Sequence, residues 1–140
     1  MAKNLLLDTG FWFALYESGD NHHEAALLVA DFLDFYNLVL PWPCLYETLN
    51  SAFVKKSQWL DSFSSYANRA NTVYLHDELY RGHGLGQVFR NRRHQSLSLV
   101  DEVLMLALED PNTKIDAVVT FDKRHFRDFC YSRQIELLPG

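Results

Sequence analysis

Two patterns of apolar residues alternate along the 140-residue chain. Short apolar runs, closed by turn or helix-start signals, predict buried strands at residues 4–7, 38–40, 72–75, 117–121 and 135–138. Segments with apolar residues three or four positions apart predict helices at residues 11–16, 22–36, 44–55, 58–68, 77–91, 98–108 and 123–131. Helices therefore separate most successive strands.

This alternation predicts the fold class. A connection between neighbouring parallel strands must be about as long as a helix, which is what the sequence provides. We therefore expect an α/β fold, namely a three-layer α/β/α sandwich with a mostly parallel central sheet. No repeat, low-complexity tract or flexible linker interrupts the pattern, which favours one domain over residues 1–140.

Composition and charge exclude several classes of protein. With 48% hydrophobic and 22% charged residues, the chain is neither disordered nor fibrous. Its net charge of −5 argues against a protein that coats nucleic acid through its overall field, although a local basic patch is compatible with that charge. The longest uncharged apolar stretch, residues 37–46, contains prolines and is far shorter than the roughly 20 residues of a membrane span. Because residues 1–8 also lack the features of a secretory signal, we expect a soluble, cytoplasmic protein in which Cys44 and Cys130 are buried thiols.

Three aspartates occupy positions where α/β proteins bind ligands. Asp8 and Asp122 follow predicted strands, and ligands of parallel sheets lie beyond the carboxyl ends of the strands. Asp101 is in the first turn of a predicted helix. Structural roles are the alternatives, because Asp122 can cap the next helix and Asp101 can interact with its helix dipole. For Asp8 we expect no such role, because no helix is predicted to begin at the next residue.

Convergence of these acids would require a cation. Two carboxylates about 5 Å apart repel each other by roughly 3 kcal/mol at an effective dielectric of 20. Mg²⁺ or Mn²⁺ would offset this repulsion, since both take carboxylate oxygens and leave room for water and phosphate oxygens. Such a site indicates phosphate chemistry.

Four segments together resemble a PIN-domain ribonuclease of the VapC toxin kind. They are Leu-Leu-Asp-Thr-Gly-Phe-Trp-Phe-Ala from residue 6, Pro-Cys-Leu-Tyr-Glu-Thr-Leu from residue 43, Ser-Leu-Ser-Leu-Val-Asp from residue 96 and Val-Val-Thr-Phe-Asp-Lys-Arg-His-Phe from residue 118. The resemblance implies an acidic cluster formed by Asp8, Glu47, Asp101 and Asp122. It also implies metal ligands at Asp8, Asp101 and Asp122, with supporting polar groups at Thr9, Asn50 and Thr120.

Glu47 is placed differently by periodicity and by resemblance. The apolar stripe of its predicted helix consists of Leu45, Leu49, Ala52 and Phe53. Glu47 and Asn50 fall on the opposite face, which by itself predicts solvated surface. The two views agree if this face borders a wet, metal-containing groove. Asp116 is excluded from the cluster, because it precedes the strand that Asp122 follows, roughly 20 Å away.

The resemblance implies metal-assisted hydrolysis of an RNA phosphodiester by a toxin that forms homodimers and is held inactive by an antitoxin protein. Two basic runs could contact the RNA phosphates. The first run includes Arg90, Arg92, Arg93 and His94. The second includes Lys123, Arg124 and His125. A solvated helix face is the alternative for the first run.

Two other functions remain alternatives. One is another α/β metal-dependent phosphohydrolase. A haloacid-dehalogenase phosphatase is disfavoured, since it needs a second aspartate where this chain has Gly10. The other is a non-catalytic binding module in which the acids are helix caps.

Overall fold

The computed structural model describes residues 2–90 and 97–140 and contains one five-stranded sheet. Its strands are β1 (Lys3–Leu7), β2 (Tyr36–Pro41), β3 (Thr72–Leu75), β4 (Ala117–Val119) and β5 (Glu136–Leu138). Their order across the sheet is β3-β2-β1-β4-β5, and every neighbouring pair is parallel. This confirms the expected parallel sheet. β1 is the central strand, so its carboxyl end lies in the middle of the sheet edge.

The helices of the described residues pack on both faces of this sheet. They are α1 (Thr9–Tyr16), α2 (His23–Ala30), α3 (Trp42–Thr48), α4 (Ser51–Val54), α5 (Ser57–Ala67), α6 (Arg81–Arg90), α7 (Leu99–Glu109) and α8 (Lys123–Ser132). Within residues 2–90 and 97–140, none of them is long and apolar enough to cross a membrane.

Side chains that alternate along the strands divide the core into two parts. Leu5 and Leu7 of β1 pack on one face with the aromatic residues of α1 and α5, whereas Leu6 packs on the other face with α7 and α8. All three leucines are fully buried. Two helical layers therefore enclose the sheet, which confirms the three-layer sandwich. The expectation of buried thiols is also confirmed, since Cys44 and Cys130 are both buried and free.

Four predicted helices differ from the observed ones. The helix predicted from residue 11 begins at Thr9, and the helix predicted from residue 77 begins at Arg81. The helix predicted at residues 22–36 ends at Ala30, and a 3₁₀ turn, Leu33–Phe35, leads into a longer β2. The helix predicted at residues 44–55 is split into α3 and α4. Asn50 causes the split, because its Oδ1 accepts a hydrogen bond from the Phe53 backbone N–H at 2.9 Å and so caps α4. The predicted apolar stripe is broken there, and Ala52 is exposed.

Candidate active site

A groove at the carboxyl edge of the sheet contains all four predicted acids. β1 and β4 end side by side, with the Asp8 backbone N–H donating to the Val119 carbonyl at 3.0 Å. The groove is an open cavity of about 590 Å³. Its polar and charged lining residues are Asp8, Thr9, Glu47, Ser98, Asp101, Thr120, Asp122 and Arg124. The sheet edge, α3, α7 and the start of α8 thus surround one acidic cavity.

Asp8 connects β1 to α1 and has a structural role that the sequence analysis did not predict. Its Oδ1 accepts from the Thr9 backbone N–H at 2.8 Å, so it is the N-cap of α1. Its Oδ2 accepts from the Thr120 hydroxyl at 3.0 Å. The expectation that Asp8 has no structural task is therefore wrong, because α1 begins at the very next residue.

The surroundings of Asp8 disfavour its negative charge. Burial raises the pKa of this carboxyl, and the negative charge of Glu47 raises it further. Hydrogen bonds from the Thr9 N–H and the Thr120 hydroxyl act in the opposite direction, but the pKa stays above its ordinary value. An ionised Asp8 would therefore be stabilised by a cation in the groove.

Asp101 enters the groove from the first turn of α7. The Ser98 hydroxyl oxygen caps this helix by accepting from the Asp101 backbone N–H at 3.1 Å, which confirms the predicted helix start. Burial raises the pKa of the Asp101 carboxyl, and the negative charge of Asp8 is the next cause. Asp122 raises this pKa too, so Asp101 is electrostatically coupled to both of the other aspartates.

Asp122 precedes α8 but does not cap it with its side chain. Its carboxylate instead lies 3.2 Å from Nε2 of His125, one turn along the helix. Asp101, Asp122 and His125 each offer a ligand atom, and these atoms lie within 4.8 Å of one another. The helix cap considered as the structural role of Asp122 is therefore not formed by its side chain. The helix-dipole interaction considered for Asp101 is present, because Asp101 lies in the first turn of α7.

Glu47 lies on the exposed face of α3, as periodicity predicts, and this face borders the groove. Its Oε1 accepts a hydrogen bond from the Thr9 hydroxyl at 2.7 Å. Thr9 and Thr120 therefore hold two of the four acids. Asn50 is not among the groove residues, because its Oδ1 caps α4, but its Nδ2 donates to the Glu47 backbone carbonyl at 3.2 Å.

The predicted phosphate contacts are distributed unevenly. Arg124 lines the groove. The Lys123 ammonium group donates to the Pro139 carbonyl, so this side chain is directed to the carboxyl terminus and the structure does not support its predicted role. Arg90 donates to Gln87 at 3.1 Å and is not among the groove residues. Arg92, Arg93 and His94 lie outside the described residues.

Asp116 lies at the opposite end of β4, as predicted, and accepts from the Asn4 backbone N–H at 2.8 Å.

Two neighbours of the acids were missed as site residues. His125 was interpreted only as part of a basic run, although its spacing of three residues from Asp122 at a helix start places the two side chains on one face. The Cys44 thiol lies 3.7 Å from Oδ1 of Asp8, and burial raises its pKa, so it is a neutral neighbour. Nothing in the sequence indicates the contact between Cys44 and Asp8.

The donor atoms of the groove fit a divalent metal ion. Carboxylate oxygens with an imidazole nitrogen beside them are ordinary ligands of such ions. Burial and the negative charges of neighbouring carboxylates raise the pKa of Asp8 and of Asp101, and a bound cation would relieve both effects. Asp101 and Asp122 are the carboxylates best placed to hold it, with His125 adjacent.

No family model and no curated protein matches the sequence. Among solved structures, the chain is similar to that of VapC20 from Mycobacterium tuberculosis, described as a sarcin-ricin loop cleaving toxin. The TM-score is 0.65 at 17% sequence identity, and the match covers 89% of this chain and 94% of VapC20. VapC20 thus shares the α/β fold that the alternation of strands and helices predicts, and the PIN-like fold that the resemblance implies is confirmed.

Proposed function

We propose that this protein is a metal-dependent endoribonuclease that hydrolyses RNA phosphodiester bonds, and that residues 1–140 form one PIN-like domain. The observation that carries the proposal is the convergence of Asp8, Glu47, Asp101 and Asp122 on one groove. These acids come from four separate parts of the chain. The similarity to VapC20, which is described as cleaving the sarcin-ricin loop, supports RNA as the substrate.

The cofactor is Mg²⁺ or Mn²⁺, held by Asp101 and Asp122 and by the third predicted ligand, Asp8, which lines the same groove. When bound, such an ion lowers the pKa of a water molecule and neutralises charge that builds up on the phosphate. Asp8 is kept in place by the Thr9 N–H and the Thr120 hydroxyl. Thr120 also accepts from the Asp122 backbone N–H at 3.1 Å, so one buried hydroxyl positions two of the acids.

The remaining residues of the groove act on the attacking water and the RNA. Glu47 is exposed and its Oε1 is held by Thr9, which suits a carboxylate that orients a water molecule or accepts its proton. Arg124 places a positive charge at the groove, where it can bind a phosphate that the acids alone would repel. Neither role requires a covalent nucleophile.

The toxin description of VapC20 also suggests the biological setting. We propose that the protein is a cytoplasmic toxin that forms a homodimer and is neutralised by an antitoxin protein. Coexpression with the product of a neighbouring reading frame tests this part of the proposal. An antitoxin should copurify with the protein and block RNA cleavage, and a partner that leaves cleavage unchanged would contradict it.

The nuclease activity is tested with purified protein freed of any partner. Cleavage of RNA should occur in Mn²⁺ or Mg²⁺, stop in EDTA and be abolished by Asp8→Asn. This substitution preserves the α1 cap, since asparagine and aspartate cap helices about equally well. The matched control is Asp116→Asn, which changes an acid at the opposite end of β4 and should leave cleavage unchanged.

The two alternative functions give different results in the same experiment. A phosphohydrolase would release phosphate from small phosphomonoesters and leave RNA intact. A binding module would bind its ligand without metal-dependent cleavage. Cleavage that survives both EDTA and Asp8→Asn would refute the nuclease proposal.

A further inference from the structure

The imidazole of His125 is part of the acidic cluster. One ligand atom each from Asp101, Asp122 and His125 lies within 4.8 Å of the other two. The closest contact is between Nε2 of His125 and Oδ2 of Asp122, at 3.2 Å. A ring nitrogen is thus positioned among the oxygens to which the proposed nuclease activity assigns the metal ion.

The first turn of α8 fixes this arrangement. His125 is three residues beyond Asp122, so both side chains lie on the same side of the helix. The side chain of His125 is only 17% exposed, compared with 49% for Asp122, so its ring is packed and cannot turn freely into solvent. Because Asp122 does not cap the helix, its carboxylate is free to face the ring.

We propose that His125 is a direct ligand of the divalent ion through Nε2, together with the carboxylates of Asp101 and Asp122, and that the site therefore selects Mn²⁺ over Mg²⁺. Imidazole nitrogen is an ordinary ligand of transition-metal ions, whereas Mg²⁺ binds almost only oxygen. This inference rests on the proposed metal-dependent function and adds a ligand and a metal preference to it.

The distances are compatible with a shared ion after a small movement. In an octahedral site with bonds of about 2.1 Å, adjacent ligand atoms are about 3.0 Å apart and opposite ones about 4.2 Å. The three atoms, at most 4.8 Å apart, therefore need to approach one another by less than about 2 Å. Rotation of the half-exposed Asp122 side chain can supply most of this movement.

Electron spin-echo envelope modulation of the Mn²⁺-loaded protein tests the ligand directly. We expect the wild type to show the coupling of a coordinated nitrogen, and His125→Gln to lack it. The matched control is His22→Gln, which changes an exposed histidine stacked on Phe121, outside the cluster, and should retain the coupling. Labelling histidine with ¹⁵N should change the wild-type coupling, which assigns it to histidine without any variant.

Metal titrations test the preference. Replacing His125 by glutamine should weaken Mn²⁺ binding by at least about tenfold, since losing even an outer partner of a metal ligand costs about 10- to 100-fold. Mg²⁺ binding should change little. Circular dichroism of each variant shows whether it is folded, and the labelled wild type decides the question if His125→Gln is not.

The inference and the proposed function fail in different ways. A wild-type protein that binds Mn²⁺ and cleaves RNA, but shows no nitrogen coupling, overturns His125 as a ligand and leaves the nuclease intact. Equal losses of Mn²⁺ and Mg²⁺ affinity in His125→Gln overturn the metal preference. A protein that binds neither ion and cleaves no RNA overturns both proposals.

Discussion

Replacing Asp101 by asparagine removes one charge from the acidic cluster and keeps the shape of the side chain. The ligand atoms of Asp101 and Asp122 are at most 4.8 Å apart. Two charges at that distance repel each other by about 3 kcal/mol at an effective dielectric of 20. Because Asp122 is half exposed and faces His125, we reduce this to about 1 kcal/mol, which is a minimum because Asp8 also repels Asp101.

The substitution also removes a favourable interaction. Asp101 lies in the first turn of α7, where a negative charge stabilises the helix by about 0.5 kcal/mol. The net effect in metal-free protein is therefore a stabilisation of roughly 0.5 kcal/mol, or a Tm that is higher by about 2 °C for a chain of this size. Most substitutions destabilise a protein, so an increase would identify a site whose charges are kept for another purpose.

Bound Mn²⁺ should make the wild type more stable than Asp101→Asn, which reverses the order expected without metal. At a concentration of about 100 times its dissociation constant, Mn²⁺ stabilises the wild type by about 2.7 kcal/mol, which raises its Tm by roughly 10 °C. Asp101→Asn lacks a ligand and should gain less than half as much. Differential scanning calorimetry in EDTA and in Mn²⁺ measures both effects. A variant that is less stable in EDTA, and that gains as much from Mn²⁺ as the wild type, would refute the electrostatic argument.

Three further predictions concern pH, a hydroxyl group and the basic residues. In the folded protein the pKa values of Asp8 and Asp101 are raised above their ordinary value of 3.8. Folding therefore favours the protonated form of each carboxyl, and in the absence of metal this contribution to stability is complete below pH 3.8. It is lost as the pH rises through the pKa values of the folded protein. The Tm of Asp101→Asn, measured between about pH 4 and pH 7, should therefore fall less than that of the wild type, and equal slopes would contradict the raised pKa of Asp101. Thr120→Val should lower the free energy of unfolding, measured by urea denaturation, by about 1–3 kcal/mol. The reason is the loss of a buried hydroxyl that donates to Asp8 and accepts from the Asp122 backbone N–H. A change below about 0.5 kcal/mol would show that neither hydrogen bond contributes to stability. Arg124→Ala should raise the KM for RNA about tenfold, which corresponds to a loss of roughly 1.4 kcal/mol of phosphate binding. Lys123→Ala should leave the KM unchanged. If Lys123→Ala raises the KM and Arg124→Ala does not, the phosphate contact belongs to Lys123.

Much of the fold could be predicted from the sequence, because the two periodicities leave few alternatives. Thr72–Leu75 was predicted with its observed bounds, and all five strands and their parallel pairing were expected. One error lies where a side chain competes with backbone hydrogen bonds. Asn50 splits a helix by capping its second half, an interaction that an apolar stripe cannot reveal.

The site could be predicted only in part. Asp8 and Asp122 could be found from their positions after strands, but the approach of Asp101 depends on how α7 packs against the sheet. Glu47 could not be found from periodicity, since a polar helix face borders water and a wet groove in the same way. The apolar pattern predicts a helix only from residue 11, whereas α1 begins at Thr9, and this difference concealed the capping role of Asp8. The contact between His125 and Asp122 was present in the sequence as a spacing of three residues at a helix start.

Anomalous diffraction from crystals grown with Mn²⁺ tests the central claim most directly, because it locates the ion itself. We predict a Mn²⁺ peak in the groove within about 2.3 Å of carboxylate oxygens of both Asp101 and Asp122, a normal metal–oxygen distance with allowance for the larger ion. The peak should disappear in Asp101→Asn crystals. A groove without a peak in wild-type crystals saturated with Mn²⁺, or a peak bound only by residues elsewhere on the molecule, would contradict the account.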